Sequence, residues 1–143
     1  MANEKRLYAG ACHCGRLKIG FETAVPPGEL TVRACQCGFC RRHGARTVAD
    51  PAGRMWVEAA PGAAPLNYRF GLEITDYLIC PACGCYVAAL MEDGGGVFGI
   101  VNVRMLEDAA VFAAVAAPRD YDAEDEAARR QRRRGAWTPV TGM

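Results

Sequence analysis

The chain has 143 residues, of which 51% are hydrophobic, and its 17 lysines and arginines nearly balance 16 acidic residues, for a net charge of +1. A chain of this length forms one domain that buries roughly two-thirds of its unfolded surface, so small size alone creates no need for metal or disulfides. The near-zero charge argues against a nucleic-acid binder, and the longest weakly polar run, residues 109–117, is far too short to span a membrane.

The eight cysteines fall into three clusters. These are Cys12-His13-Cys14, Cys35-Gln36-Cys37-Gly38-Phe39-Cys40 and Cys80-Pro81-Ala82-Cys83-Gly84-Cys85. Residues 1–12 contain no apolar stretch of signal-peptide length, and we expect a soluble, cytoplasmic protein. Because clustered thiols in a reducing compartment are more often metal ligands than disulfides, the clusters predict metal sites.

Short strands separated by turn signals dominate the first 118 residues. Apolar and polar residues alternate over 16–22, which predicts a half-buried strand with Leu17, Ile19 and Phe21 on one face. Residues 30–34 alternate into the central cluster, and residues 44–53 have the composition of a loop. Further strands are predicted over 55–58, 66–70, 74–79, 86–91 and 97–103, with the last two joined in a hairpin by residues 92–96. The pattern predicts a mainly β sandwich or barrel with no long helix before residue 119.

The last segment, residues 119–143, is predicted to be a helical extension of the domain formed by residues 1–118. Residues 120–135 carry acidic residues first and arginines last, which complements a helix dipole. The pairs Asp125–Arg129 and Glu126–Arg130 stand four residues apart, the spacing of helical ion pairs. We predict a solvated surface helix that ends at Gly135. Without interleaved aromatic residues, its arginines do not indicate a nucleic-acid partner.

The two outer cysteine pairs can combine into one metal site. In a strand, Cys12 and Cys14 would point to the same face, while His13 between them would point away to the surface. Cys80 and Cys83 have the spacing of a zinc knuckle, a turn for which a following glycine supplies backbone freedom. Neither pair completes a tetrahedral site alone, but four thiolates together make a closed, structural zinc site.

The central cluster offers three thiols from one segment, here called the trio: Cys35, Cys37 and Cys40. Cys35 and Cys37 would share a strand face, and Cys40 could return through a turn at Gly38. Three protein ligands leave a fourth zinc position for water or substrate, which is the arrangement of catalytic sites. Thiolates also select zinc over magnesium or calcium.

Spacing does not show whether the trio has a fourth protein ligand. Cys85 or His43 could supply it and close the site; otherwise His43 is a substrate contact or an exposed polar residue. The neighbouring cations Arg41 and Arg42 would favour thiolate over thiol and attract an anionic substrate. Open and closed sites therefore both remain as interpretations of the trio.

Four ordered stretches over residues 8–110 resemble a known family. They are Gly10-Ala11-Cys12-His13-Cys14-Gly15, Cys35-Gln36-Cys37-Gly38-Phe39-Cys40-Arg41-Arg42, Cys80-Pro81-Ala82-Cys83-Gly84 and Val101-Asn102-Val103-Arg104-Met105-Leu106. They resemble the glutathione-dependent formaldehyde-activating enzyme family, which includes the centromere protein V type. Trp137 resembles a tryptophan that many members carry near the C-terminus. Gly38 departs from the serine of many members, and Cys85 from a small hydroxyl residue or alanine.

The resemblance implies an Mss4-like fold, a β-sandwich of antiparallel sheets with two zinc ions per chain and a short C-terminal helix. It implies a structural zinc at one set of cysteines and a catalytic zinc at the trio. The structural set is Cys12, Cys14, Cys80 and Cys83. The implied activity is that of a carbon–sulfur lyase, the formation or cleavage of S-hydroxymethylglutathione from glutathione and formaldehyde.

The expected partner is a small thiol or thiol adduct such as glutathione, with neither nucleic acid nor membrane. Arg41, Asn102 and Arg104 are candidates for binding a substrate carboxylate or amide, because arginine presents a bidentate fork. The alternative function is a non-enzymatic, zinc-stabilised protein-binding module with the same fold. Exposed sheet edges are compatible with a homodimer.

Overall fold

Residues 4–142 are described by a computed structural model, in which eleven strands form two sheets. The strands are β1 (Arg6–Ala11), β2 (Leu17–Thr23), β3 (Arg33–Cys35), β4 (Thr47–Val48), β5 (Arg54–Ala59), β6 (Leu66–Tyr68), β7 (Asp76–Ile79), β8 (Tyr86–Asp93), β9 (Gly96–Asn102), β10 (Ala117–Arg119) and β11 (Thr138–Pro139). The helices are α1 (Gly38–His43) and α2 (Glu126–Ala136), with short 3-10 turns at Pro27–Glu29, Val103–Met105 and Ala109–Val111.

The small sheet has the strand order β1-β2-β5, and the large sheet has the order β10-β3-β4-β9-β8-β7-β6, with β11 also paired to β9. Every neighbouring pair is antiparallel except β10 and β3, which run parallel. The prediction of a mainly β protein with antiparallel sheets is confirmed. The parallel pair was not predicted, because both of its strands are only three residues long and they lie far apart in the chain.

Two local predictions are confirmed in detail. Leu17, Ile19 and Phe21 on β2 are all buried, as their alternation indicated. β8 and β9 form the predicted hairpin, closed at the Asp93↔Gly96 pair. The two residues of its turn, Gly94 and Gly95, have φ of +61° and +85°. Two-residue hairpin turns of type I′ need positive φ at both positions, so glycine suits both.

Several predicted boundaries are wrong. In residues 30–34 only the end is strand, since β3 begins at Arg33, and the predicted loop over 44–53 contains β4. The strands predicted over 66–70 and 74–79 are shorter, and a turn lies between them in which the Glu73 N–H donates to the Phe70 carbonyl at 3.0 Å. A helix, α1, stands where a turn was predicted at Gly38, and it contains Cys40.

The C-terminal helix begins later than predicted and ends at Ala136. The Asp125 carboxylate accepts the Ala128 N–H at 2.8 Å, so this residue is the N-cap of α2 and not part of an ion pair with Arg129. The predicted Glu126–Arg130 pair is present, at 3.1 Å. No helix within residues 4–142 is long and apolar enough to cross a membrane.

The core has two parts that meet at β8. One lies between the sheets and contains Leu17, Phe21 and Met55. The other is aromatic, lies beneath α1 and α2, and includes Tyr86 and Trp137. Trp137 is buried and β11 pairs with β9 directly after it, so the chain that follows α2 is built into the large sheet. The prediction that the helix is merely a solvated surface element is wrong for its inner face.

Candidate metal centres

Two hairpin turns bring four cysteines together as one group, here called the tetrad. Its members are Cys12 and Cys14, between β1 and β2, and Cys80 and Cys83, between β7 and β8. All four sulfur atoms lie within 4.8 Å of one another. Cys14 Sγ lies 3.5 Å from Cys80 Sγ and 3.6 Å from Cys12 Sγ. The predicted meeting of the two pairs is confirmed.

The prediction that Cys12 and Cys14 share a strand face is wrong, because both residues lie in a turn. β1 ends at Ala11, and the Gly15 N–H donates to the Cys12 carbonyl at 3.0 Å with a φ of +83° at Gly15. The second pair uses a similar turn, in which the Gly84 N–H donates to the Cys80 carbonyl at 2.9 Å. The φ of Gly84 is +78°, so the backbone freedom expected of this glycine is used.

The donor set of the tetrad fits a tetrahedral ion of zinc size. With zinc–sulfur bonds of about 2.3 Å, the corners of a tetrahedron lie roughly 3.8 Å apart, close to the sulfur separations here. Backbone N–H groups also bond the sulfurs, from Leu17 to Cys12 at 3.3 Å and from Cys83 to Cys80 at 3.5 Å. The Cys85 N–H is the main reason why the pKa of Cys83 is lowered to about 5. Because the two hairpins belong to different sheets, an ion held here would join the small sheet to the large one.

The trio stands at the junction of β3 and α1, and its three sulfurs also lie within 4.8 Å of one another. Cys35 ends β3, Cys37 is the N-cap of α1, and Cys40 lies in the first turn of the helix. The Cys40 N–H donates to Cys37 Sγ at 3.3 Å, and Gly44 ends the helix in the left-handed region, with a φ of +57°. The prediction that Cys35 and Cys37 share a strand face is therefore wrong, because the backbone turns into a helix after Cys37.

Mutual hydrogen bonding within the trio separates the acidities of its thiols. The pKa of Cys37 is far below its usual value because its sulfur accepts from Cys35 and Cys40 and from nearby backbone N–H groups. The pKa of Cys40 is raised, chiefly by its hydrogen bonds to Cys35 and Cys37 and then by burial. Arg41 and Arg42 are exposed, so solvent screens their charges, and their effect on the thiols stays a prediction. Hydrogen bonds within the segment therefore favour the thiolate form at Cys37 more than at Cys40.

Neither of the two candidate fourth ligands joins the trio. Within residues 4–142, no further histidine, cysteine, aspartate or glutamate donor belongs to this group. The His43 ring instead packs against Phe39, with ring centroids 4.5 Å apart. Cys85 lies near the tetrad, where its sulfur accepts the backbone N–H of His13, whose side chain is exposed as predicted. The trio thus offers three protein donors.

A cavity of about 440 Å³, here called the main cavity, lies beside the trio. Its wall includes Cys35, Cys37, Tyr77, Asp120, Asp122 and Arg133. The acidic residues reach this wall because β10 pairs in parallel with β3, with Arg119 opposite Cys35, so the chain after β10 runs past the trio. Sequence spacing alone gave no sign of this approach.

A second recess, here called the arginine recess, has about 270 Å³ and includes Cys35, Cys40, Arg41, Arg46 and Arg104 in its wall. Two of the predicted substrate contacts, those at 41 and 104, therefore lie beside the trio. Asn102, the third, is 2% exposed. Its Nδ2 donates to the Tyr86 carbonyl at 2.9 Å, and its Oδ1 accepts the Arg104 N–H at 3.2 Å. Asn102 thus holds the turn that carries Arg104 and does not line either opening.

Two buried residues near the trio were missed by the sequence analysis. Tyr86 is 1% exposed and its hydroxyl has no hydrogen-bond partner among the described residues. Arg133 is 5% exposed, and its Nε likewise has no partner in residues 4–142. A signal for Arg133 existed: it stands four residues before Trp137, a large apolar residue that would turn this helix face inward.

Comparison with known proteins adds little. No protein-family profile matches the chain, and no curated protein matches it. One solved structure, of a Rhodobacter sphaeroides protein determined by a structural genomics consortium, has 29% identical residues and a TM-score of 0.49. The match covers 70% of this chain and 88% of that one. A superposition of this quality does not establish a common fold.

Proposed function

We propose that the protein is a zinc-dependent carbon–sulfur lyase-type enzyme with an Mss4-like fold. Its substrate is a small thiol adduct such as S-hydroxymethylglutathione, which forms from glutathione and formaldehyde. The observation that carries the proposal is the trio, which gathers three thiol donors with no fourth histidine, cysteine or carboxylate donor in residues 4–142 and lies between two openings. The resemblance of the four motifs to formaldehyde-activating enzymes supports the same conclusion.

Soft thiol donors at these separations suit zinc, for which three protein ligands are typical of a catalytic site. When zinc is bound by three thiolates, the chemistry that it supplies is polarisation of a carbonyl oxygen and stabilisation of a thiolate. The chain's own residues orient the substrate. Arg41 and Arg104 offer guanidinium groups for a carboxylate, and Asn102 keeps the Arg104 turn in place.

The tetrad has the role of a structural zinc site in this proposal. Two of its members, Cys12 and Cys80, are buried, and the four donors together leave no ligand position free. Closed sites of this type contribute directly to folding free energy. We expect about two zinc ions per chain in protein that is purified without a chelator, one for each cysteine group.

The test is the rate at which the protein interconverts glutathione plus formaldehyde and S-hydroxymethylglutathione. Exchange spectroscopy by NMR at equilibrium measures this rate against the uncatalysed background. Cys37→Ser is the informative variant, because serine is a preferred N-cap and can keep the hydrogen bond from the Cys40 N–H. We expect it to remain folded and to lose catalysis, whereas Cys85→Ser, outside both donor groups, keeps both ions and full activity.

Two results would contradict the proposal. One is a Cys37→Ser variant that is as active as the wild-type protein, and the other is a zinc-loaded wild-type protein that does not exceed the background rate.

The second result would favour the non-enzymatic binding module. A specific observation supports that alternative: Leu66 and Tyr68 are 56% and 48% exposed on β6, the edge strand of the large sheet. Exposed sheet edges can pair with another chain.

A further inference from the structure

Arg133 differs from the other arginines of α2. The guanidinium groups at 129, 130, 132 and 134 all form ion pairs with Glu124, Glu126 or Asp93. Arg133 is buried and forms no ion pair with any described acidic residue. Its Nη1 donates to Thr75 Oγ1 and approaches Met91 Sδ at 3.8 Å, and its guanidinium lies 4.1 Å from the centre of the Trp137 ring. Its Nε has no partner among the described residues.

A structural role alone explains this arrangement poorly. Burying a charge without a counter-charge costs free energy, and an apolar side chain of similar volume would pack against Trp137 without that cost. Burial lowers the pKa of Arg133 to about 10, which still leaves the side chain charged at neutral pH. No described aspartate or glutamate pairs with this charge, so a carboxylate that enters from outside the chain could form the missing ion pair.

Arg133 lines the main cavity together with Cys35 and Cys37, so such a partner would reach it from the trio's side. The two acidic residues of the same wall, Asp120 and Asp122, are exposed, and solvent screens their charges. The Asp120 carboxylate also accepts the Asp122 N–H at 3.0 Å. Arg129 also lines this wall but is paired with Glu124, so Arg133 is the arginine of the wall that has no carboxylate partner among the described residues.

We propose that Arg133 binds a carboxylate of the substrate in the main cavity, which makes an acidic thiol, or an adduct of one, the substrate class. Because Arg133 forms part of the wall of that cavity, its guanidinium group is the cation offered to the carboxylate. The inference deepens the proposed function, since it assumes that the sulfur end of the same molecule faces the trio. It also gives the main cavity, and not the arginine recess, the dominant share of carboxylate recognition.

Binding of two matched thiols tests this inference. N-acetylcysteine and N-acetylcysteine amide differ only in the carboxylate, and calorimetric titration of the zinc-containing protein compares their affinities. We expect the wild-type protein to prefer the acid roughly ten- to hundredfold, as is usual for one charge-assisted hydrogen-bonded contact. In Arg133→Met the ratio of the two affinities, acid over amide, should fall to about one while the affinity for the amide is unchanged. Arg133→Lys should keep part of the preference, because lysine retains the charge without the planar fork.

The matched control is Arg134→Met, which removes the same charge from the same helix at an exposed position paired with Asp93. It should keep the full preference for the acid. If Arg133→Met is too unstable to titrate, Arg133→Gln, whose amide can still donate to Thr75, decides the same comparison. Three results would overturn the inference. The preference for the acid could persist when Arg133 is replaced, it could be lost equally in Arg134→Met, or the wild-type protein could show no preference.

The two proposals can fail separately. If the preference for the acid depends on Arg133 but the protein has no glutathione–formaldehyde activity, the carboxylate site is supported and the proposed enzyme activity is contradicted. If the activity depends on Cys37 but the acid and the amide bind with equal affinity, the proposed enzyme activity is supported and the role of Arg133 is contradicted.

Discussion

Replacing Cys80 should unfold the protein, whereas replacing Cys37 should not. Cys80 is 1% exposed, and its sulfur lies 3.5 Å from that of Cys14 on the other hairpin. Structural zinc contributes about 10–16 kcal/mol in small zinc domains, comparable to the entire stability of about 5–15 kcal/mol of a typical domain. Cys80→Ser removes one of four ligands, so we expect loss of that ion and of cooperative folding. Cys37→Ser affects a site whose donors all come from one short segment, so we expect the protein to stay folded.

Zinc content by mass spectrometry and thermal unfolding by circular dichroism together measure this difference. The expected results are two ions for the wild-type protein, one ion with a cooperative transition for Cys37→Ser, and no cooperative transition for Cys80→Ser. Cys85→Ser is the control, because Cys85 lies beside the tetrad without belonging to it. The reasoning is refuted if Cys80→Ser melts like the wild-type protein, or if Cys37→Ser unfolds as completely as Cys80→Ser.

Two further predictions concern stability measured by urea denaturation. Tyr86→Phe should raise the free energy of unfolding by about 1–3 kcal/mol, because the removed hydroxyl is buried without a partner; a decrease would mean that the hydroxyl is bonded in solution. Gly10→Ala should lower it by about 3 kcal/mol, since the new methyl group would lie 2.0 Å from the backbone oxygen of Met105. Gly28→Ala, with no atom within 4 Å of its methyl group, should change it by less than about 0.5 kcal/mol, and equal effects of the two glycine substitutions would contradict the packing argument.

The parts of the fold that the sequence predicts are those determined by local pattern. The alternation of β2 and the glycines of the β8–β9 turn act within a few residues, so composition reveals them. β3, β4 and β10 contain only two or three residues each, too few for a periodic signal, and non-local pairing holds them in the sheet. α1 was missed for a related reason: one cap at Cys37 and one left-handed glycine at Gly44 define six residues of helix.

The candidate metal donors were predictable and their surroundings were not. Cysteine spacing gave the tetrad and the trio because ligands must lie close together whatever the fold. The cavity wall depends on the parallel pairing of β10 with β3 and on the inward face of α2, and neither follows from local sequence. The arginine-rich composition of α2 suggested a solvated helix, although the helix directs Arg133 and the following Trp137 into the interior.

The two cysteine groups differ in what the fold does with them. The tetrad draws its donors from two hairpins of different sheets, so a bound ion links parts of the chain that are far apart, and its four donors leave no position open. The trio draws its donors from six consecutive residues, and an ion there could link nothing except the end of β3 to α1. Holding a metal at such a junction stabilises little, yet the trio lies between two openings with arginines in their walls. A local site with three donors and access from outside is suited to bind a ligand at its fourth position, which is why the trio, and not the tetrad, carries the functional proposal.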